Sequence, residues 1–198
     1  MAGSGPGSAP GSSSGSRPII KAFPLSNAAR DLVGRLAASV KYDQEATGQN
    51  ILLAAKAMGE AKNWSAVSVS RESWAQLFSL RAQLMAESDE LIPVVSAINP
   101  AALYMSENAM VVQFVKGLTT IKSFLTMEDD CGLVIPLSSP PSDGSTQVTV
   151  ADYATGSILE LDISMISEGA AFVVPGTASM GITSADPLVC VIFCLAGG

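Results

Sequence analysis

Between Thr146 and Leu195 the chain is cut into short apolar runs by turn residues at regular intervals. Val148 and Val150, then Ile158, Leu159, Leu161 and Ile163, then Phe172 to Val174, then Leu188 to Phe193 supply the apolar mass. Gly156, Gly169, Pro175, Gly176, Gly181, Asp186 and Pro187 supply the breaks. Short runs bounded by such turns predict an antiparallel sandwich or barrel, because parallel βαβ units need longer helical connections between their strands. Whatever precedes this region must cover, feed or extend the sheet.

The upstream half reads as helical. Ser26 or Asn27 is placed to cap a helix running to about Tyr42, with Leu32, Val33, Leu36, Ala37 and Val40 on one stripe. A second helix is expected from about Gln44 to Ala61, and Asn63–Ser70 reads as a short strand or a loop. Ser70 caps a third helix, Arg71 to about Glu87, with Trp74, Leu77, Phe78, Arg81, Leu84 and Met85 at helical spacing. Pro93, Asn99 and Pro100 mark Glu90–Pro100 as a connector with a short turn of helix or strand. Ala101–Ser106 is expected to be helical and Ala109–Lys116 a strand, turned by Gly117–Leu118 into a second strand, Thr119–Leu125. Gly132–Leu137 is a further strand, ending at a Ser- and Pro-rich loop.

Residues 1–18 are mostly Gly, Ser and Pro and read as a disordered arm, since they have little apolar surface to repay ordering. Residues 19–198 read as a single α+β domain, with N-terminal helices (about 26–106) packed on a C-terminal antiparallel β sandwich or jelly-roll-like sheet (about 109–198). A sheet of residues 109–198 alone is only marginally able to bury a core, and helices laid over one face solve that problem. Ile19, Ile20, Phe23 and Leu25 form a sticky segment after the arm, expected to dock on a neighbouring copy. Trp64, Trp74 and Phe78 are expected to be core or interface aromatics.

Charge narrows the partners. Only 15% of residues are charged, against roughly 25% in an average soluble domain, so interfaces between copies are expected and the chain reads as a homo-oligomer. The whole of the net charge of -7 comes from residues 91–198, which hold only Lys116 and Lys122 against ten acids, while residues 1–90 are nearly neutral. Nucleic-acid contact is therefore not expected through the C-terminal half. No basic region followed by an apolar one opens the chain, so no secretory signal is read; a cytoplasmic or virion location is expected. The last apolar run, Pro187–Gly197, is too short to span a membrane as a helix.

No catalytic, cofactor-binding or metal-binding residue is assigned. The chain has no histidine, which removes Ser-His-Asp chemistry and imidazole metal ligation together. Cys131 follows three acids, whose charge raises a thiol pKa, while Cys190 and Cys194 stand too far apart along one strand for a disulfide. Glu128-Asp129-Asp130 reads as an acidic loop in solvent. Glu160 and Asp162 fall on one face of a strand, an arrangement expected simply to meet water.

Gly169 to Ser184 resembles the second conserved motif of the cupins. Gly169 and Pro175 flank a strand at the motif's spacing, the turn glycine is displaced to Gly176, Met180 stands at the metal-histidine position and Ser184 at the usual asparagine. The resemblance extends over residues 169–195 and no first motif is found. It implies a jelly-roll-like β domain that has lost metal enzymology and acts by dimerisation or ligand packing. The expected function is a self-associating structural protein, such as a viral coat or shell subunit, without cofactor or catalytic activity. The alternative is a non-enzymatic jelly-roll-like module binding a peptide or small apolar ligand.

Overall fold

The computed structural model describes residues 19–46, 63–125, 127, 130–140, 145–153, 155–183 and 186–197. Helix α1 (Asn27–Ala46) opens where the Ala29 N–H donates to the Ser26 hydroxyl at 3.1 Å, and it buries Leu32, Val33, Leu36, Ala37 and Val40. Helix α2 (Arg71–Ala86) opens on Ser70, whose hydroxyl accepts from the Ser73 N–H. Its buried face is Ser73, Leu77, Leu80 and Leu84. The expected second helix falls largely on residues 47–62 and the disordered arm on residues 1–18, all outside the described residues.

Helix α3 (Ser88–Ile98) corrects the connector expectation for Glu90–Pro100. Pro93 removes one helical hydrogen bond, yet Leu91, Val95 and Ile98 recur at offsets of four and three and are all buried. Burial of that stripe offsets the lost bond.

Ten strands are described: β1 (Lys21–Ala22), β2 (Trp64–Ala66), β3 (Ala102–Phe114), β4 (Gly117–Thr120), β5 (Cys131–Pro136), β6 (Val148–Asp152), β7 (Ser157–Glu160), β8 (Phe172–Pro175), β9 (Ala178–Ile182) and β10 (Leu188–Gly197). They form a six-stranded sheet in the order β1-β8-β5-β10-β3-β2 and a four-stranded sheet in the order β4-β9-β6-β7, with every pairing antiparallel. The α+β, jelly-roll-like expectation holds at this level.

Three layers result. Phe193, Val191, Leu133 and Ile135 face the helices and pack with Leu36, Leu77, Leu80 and Leu84. On the opposite face of the larger sheet, Cys190, Ile192, Val134, Phe172 and Phe114 meet Val148, Val150, Met180 and Ile182 of the smaller one. A strand sandwiched between two apolar layers needs apolar side chains on both faces, which is why β10 reads Leu-Val-Cys-Val-Ile-Phe-Cys-Leu without alternation. By contrast β6 alternates, because only its inner face is buried.

Two further expectations are corrected. Ala101–Ser106 is not helical: β3 runs unbroken from Ala102, its register with β10 extending from Leu188↔Phe114 to Gly197↔Ala102 with shifts after Phe193 and Ala196. The long partner strand supplies the backbone hydrogen bonds that a helix would have supplied locally. Nor do β3 and β4 form a hairpin. After β3 the chain crosses to the other sheet, where β4 pairs with β9, and residues 121–124 continue as a turn of 3-10 helix.

Gly117 makes that crossing with φ of 136°, a conformation few L side chains adopt, and a Cβ there would strike the Asn63 side chain. The Asn63 amide donates to the Leu118 carbonyl at 2.6 Å, so it is held in place. Gly117→Ala is expected to lose about 1–3 kcal/mol of stability in urea unfolding. A variant within a few tenths of wild type would show that this corner relaxes freely.

Candidate functional site at one end of the β body

One end of the β body gathers the end of β4, the end of β6, the start of β9, the start of β5 and the end of β10. The registers Thr120↔Ser179, Asp152↔Ala178, Cys131↔Pro175 and Leu195↔Cys131 fix this, with the turn Gly176–Thr177 bridging the two sheets. The inward positions of β6 are Val148, Val150 and then Asp152, because side chains two apart share a face. On β10 they are Cys190, Ile192 and Cys194 by the same alternation. The space between the sheets, apolar along most of its length, thus ends in a carboxylate and a thiol.

Asp152 is only 6% exposed, and its two oxygens accept from the hydroxyls of Thr177 and Thr155, both at 3.0 Å. Asp130 is 4% exposed, which corrects the reading of the whole acid run as a solvent loop; residues 128 and 129 lie outside the described residues. The Met127 N–H donates to its carboxylate at 2.8 Å and the Cys194 thiol donates to the same oxygen at 3.3 Å. Its backbone carbonyl accepts from the Gly176 N–H at 2.9 Å. Two buried carboxylates are therefore tied to one two-residue turn, Asp130 through Gly176 and Asp152 through Thr177. Buried carboxylates cost solvation free energy unless well partnered, and these are partnered at the edge of solvent, since Thr155 and Thr177 are exposed.

Two buried thiols of this region are held in the protonated form. Burial, then the charge of Asp130, then Cys194 push the Cys131 thiol up to about 12. Burial alone raises Cys190.

The chain shares its fold with a prolyl-4-hydroxylase of Pseudomonas putida: 12% identity, a TM-score of 0.50, and 90% of this chain matched to 91% of that one. The fold is a double-stranded β-helix of the cupin-like, jelly-roll kind. Similar too are the non-heme alpha ketoglutarate dependent epimerase SnoN from nogalamycin biosynthesis (11% identity, TM-score 0.48, 90% of this chain and 77% of that one) and a prolyl hydroxylase from Trichoplax adhaerens (8%, 0.47, 90% and 82%). No protein-family model and no curated protein matches the sequence.

The match to the prolyl-4-hydroxylase overturns the expectation of a coat or shell subunit without catalytic activity. The fold is that of an enzyme, a prolyl-4-hydroxylase, and what it shares with a capsid protein is at most the jelly-roll arrangement. The non-enzymatic binding module falls with it.

Iron in non-heme oxygenases is held by two histidines and a carboxylate. This chain has no histidine, and among the described residues no group of three or more Cys, Asp or Glu side chains is arranged to hold a metal. Met180, at the cupin-like histidine position, is fully buried between the sheets. The residues present do not fit that iron centre. Ser184 lies outside the described residues.

The other residues singled out from sequence scatter. Ile19 and Ile20 pack between the sheets, and Phe23 and Leu25 pack under the helices, so all four sit in this chain's own core and offer no face to a neighbour. Trp64 is half-buried, edge-on to Phe124 with ring centroids 4.7 Å apart. Trp74 and Phe78 are exposed on α2, 5.8 Å apart. Glu160 ends β7, while Asp162 leaves the strand to accept from the Ser164 N–H, a bond that holds its carboxyl below the ordinary value. Sequence reading missed Asp152 and the burial of Asp130. The signal for Asp152 was its phase with Val148 and Val150 in an alternating strand.

Proposed function

We propose that this chain is an enzyme of the double-stranded β-helix fold that works without histidine-held iron, by acid–base chemistry at the end of the β body where Asp130 and Asp152 flank the Gly176–Thr177 turn. The observation that carries the reading is the burial of two carboxylates at the solvent edge of an otherwise apolar inter-sheet space, in a chain with no histidine. A carboxylate so placed is suited to take a proton from carbon next to a carbonyl and return it, the step common to epimerases, isomerases and dehydratases. Thr177, already hydrogen-bonded to Asp152, is placed to hold the carboxylate in one orientation. The substrate class is a small carbonyl compound, and the reaction requires no oxidant.

The test is exchange of solvent deuterium into a panel of 2-oxo acids and keto sugars, followed by mass spectrometry. Wild-type protein is expected to label at least one class, and Asp152→Asn to slow that labelling about 100-fold or more. Labelling unchanged in Asp152→Asn, or succinate formed from 2-oxoglutarate only when iron is added, would overturn the reading.

A further inference from the structure

Helix α2 carries apolar side chains on two sides. Its buried side joins the layer under the helices through Leu77, Leu80 and Leu84. Its outer side carries Trp74, Phe78 and Met85, exposed at 41%, 58% and 47%, with the Trp74 and Phe78 rings 5.8 Å apart. Between and beside them the exposed residues are Ala75, Ser79, Ala82 and Ala86, and the Ser79 hydroxyl is already spent on the Ala75 carbonyl at 2.9 Å. These positions recur at offsets of three and four, so they form one stripe along the helix, with no charge in it. Glu72 and Arg81 only flank it, and Arg81 is turned to the carbonyls of Ser106 and Met105 at 3.0 and 3.1 Å. The solvent side of a helix ordinarily carries charged and polar groups, and a continuous apolar one marks an interaction surface.

Charge and size decide the occupant. Arg71 is exposed at the start of the stripe, and Asp89 is exposed just past its end, on the first turn of α3. The two rings lie nearer Arg71, and Ala82 and Ala86 lie nearer Asp89. A second copy of the same stripe laid antiparallel, with the two-fold axis at the level of Leu80, sets Trp74 against Ala86, Phe78 against Ala82 and Met85 against Ala75. Each large side chain then meets a small one. The same axis sets Arg71 of each copy against Asp89 of the other, so the charges pair at both rims. A parallel pair would instead put ring on ring and Arg71 on Arg71.

From this we infer that the outer face of α2 pairs with the same face of a second copy of this chain, the two helices antiparallel about a two-fold axis. A helix of 16 residues is about 24 Å long, and one from each copy makes an interface at the lower end of the specific range, roughly 1,000 Å² in total. The dimer is therefore expected to dissociate in the micromolar range. The inference stands apart from the acid–base reading, since it shares no residue with the β-body end.

The experiment is sedimentation velocity of the full chain across the micromolar range, where a monomer–dimer equilibrium is expected. Phe78→Glu, at an exposed position that leaves the core untouched, is expected to be monomeric throughout with an unchanged circular dichroism melt. Arg71→Glu and Asp89→Arg are each expected to weaken the dimer at least about tenfold, because each sets like charges together at both rims. The two changes in one chain are expected to bring the dissociation constant back to within about threefold of wild type. Asp89 also suits the N-terminal dipole of α3, but that effect is lost equally in the single and the double variant, so recovery reads the pairing across copies alone. Association that Phe78→Glu leaves intact, or a double variant no tighter than the single ones, would overturn the assignment. So would a monomer across the whole range, which would give the face to a different partner.

Discussion

Replacing Phe193 with alanine is expected to remove about 3–5 kcal/mol of folding stability, a large share of what a domain this size has in total. Phe193 is fully buried at the middle of β10, opposite Ala109 of β3 on one side and Leu133 of β5 on the other. Its ring belongs to the layer that joins the sheet to α1, α2 and α3, so the void left by truncation has walls on both sheet and helices, which cannot both close in. The check is urea denaturation by fluorescence and circular dichroism together, with the midpoint falling and the slope kept. If the loss were under about 1 kcal/mol, the helices would not be resting on β10 as described. Ile158→Ala serves as the contrast, because Ile158 is 75% exposed and its truncation is expected to change stability by less than about 0.5 kcal/mol.

Asp43→Ala is expected to cost about 3 kcal/mol, although no large apolar group is lost. Asp43 sits on the last turns of α1, 7% exposed, and accepts the Ser70 N–H at 2.8 Å and the Ser73 hydroxyl at 2.6 Å. Ser73 in turn shares a 2.6 Å hydrogen bond with Ser39, so the carboxylate fastens α1 to the first turn of α2. Truncation takes this acceptor from the Ser70 N–H and from the buried Ser73 hydroxyl, and an unmet buried donor costs more than a lost bond between exposed groups gains. The same carboxylate gives a pH dependence. Burial pushes its pKa up, but the Ser70 backbone bond and the Ser73 and Ser70 side-chain bonds outweigh that and hold it below 3.8. Because the folded value is the lower one, the unfolded chain takes up the proton first as the solution is acidified. The contribution is therefore complete above about pH 4 and is lost as pH falls through the depressed folded value. Asp43→Asn is expected to flatten that part of the acid limb of the stability profile, and a profile with the wild-type acid slope would assign it to other groups.

Much of the fold was legible because its cause is local or periodic. The five strands from Val148 onward follow the turn residues that end them, and α2 follows from the Ser70 cap, although of its expected face Leu77 and Leu84 are buried while Trp74, Phe78 and Met85 are exposed. Where reading failed, a distant partner outweighed the local preference. Ala101, Leu103 and Met105 suggest helix by composition, yet Leu195 pairs with Met105 as strand. Pro93 argues against helix, yet the buried side of α3 keeps it. Ile19, Ile20, Phe23 and Leu25 were identified as side chains that must be covered, but what covers them is the chain's own core. The β-body end was the least legible part. Asp130 and Cys194 touch across 64 positions of sequence, and no window along the chain brings them together.

By itself the sequence determined that residues beyond Val148 form short antiparallel strands, that Leu188–Ala196 must be covered on both faces, and that imidazole chemistry is absent. Each follows from side-chain type and spacing along a few residues. The tertiary structure alone decided which sheet each strand joins, that β3 is long, and that Asp130, Asp152 and Cys194 meet at one end of the body. Those outcomes depend on which strand edges and apolar faces find each other across long stretches of chain. That choice is made by the total surface buried, to which each local segment contributes only a part.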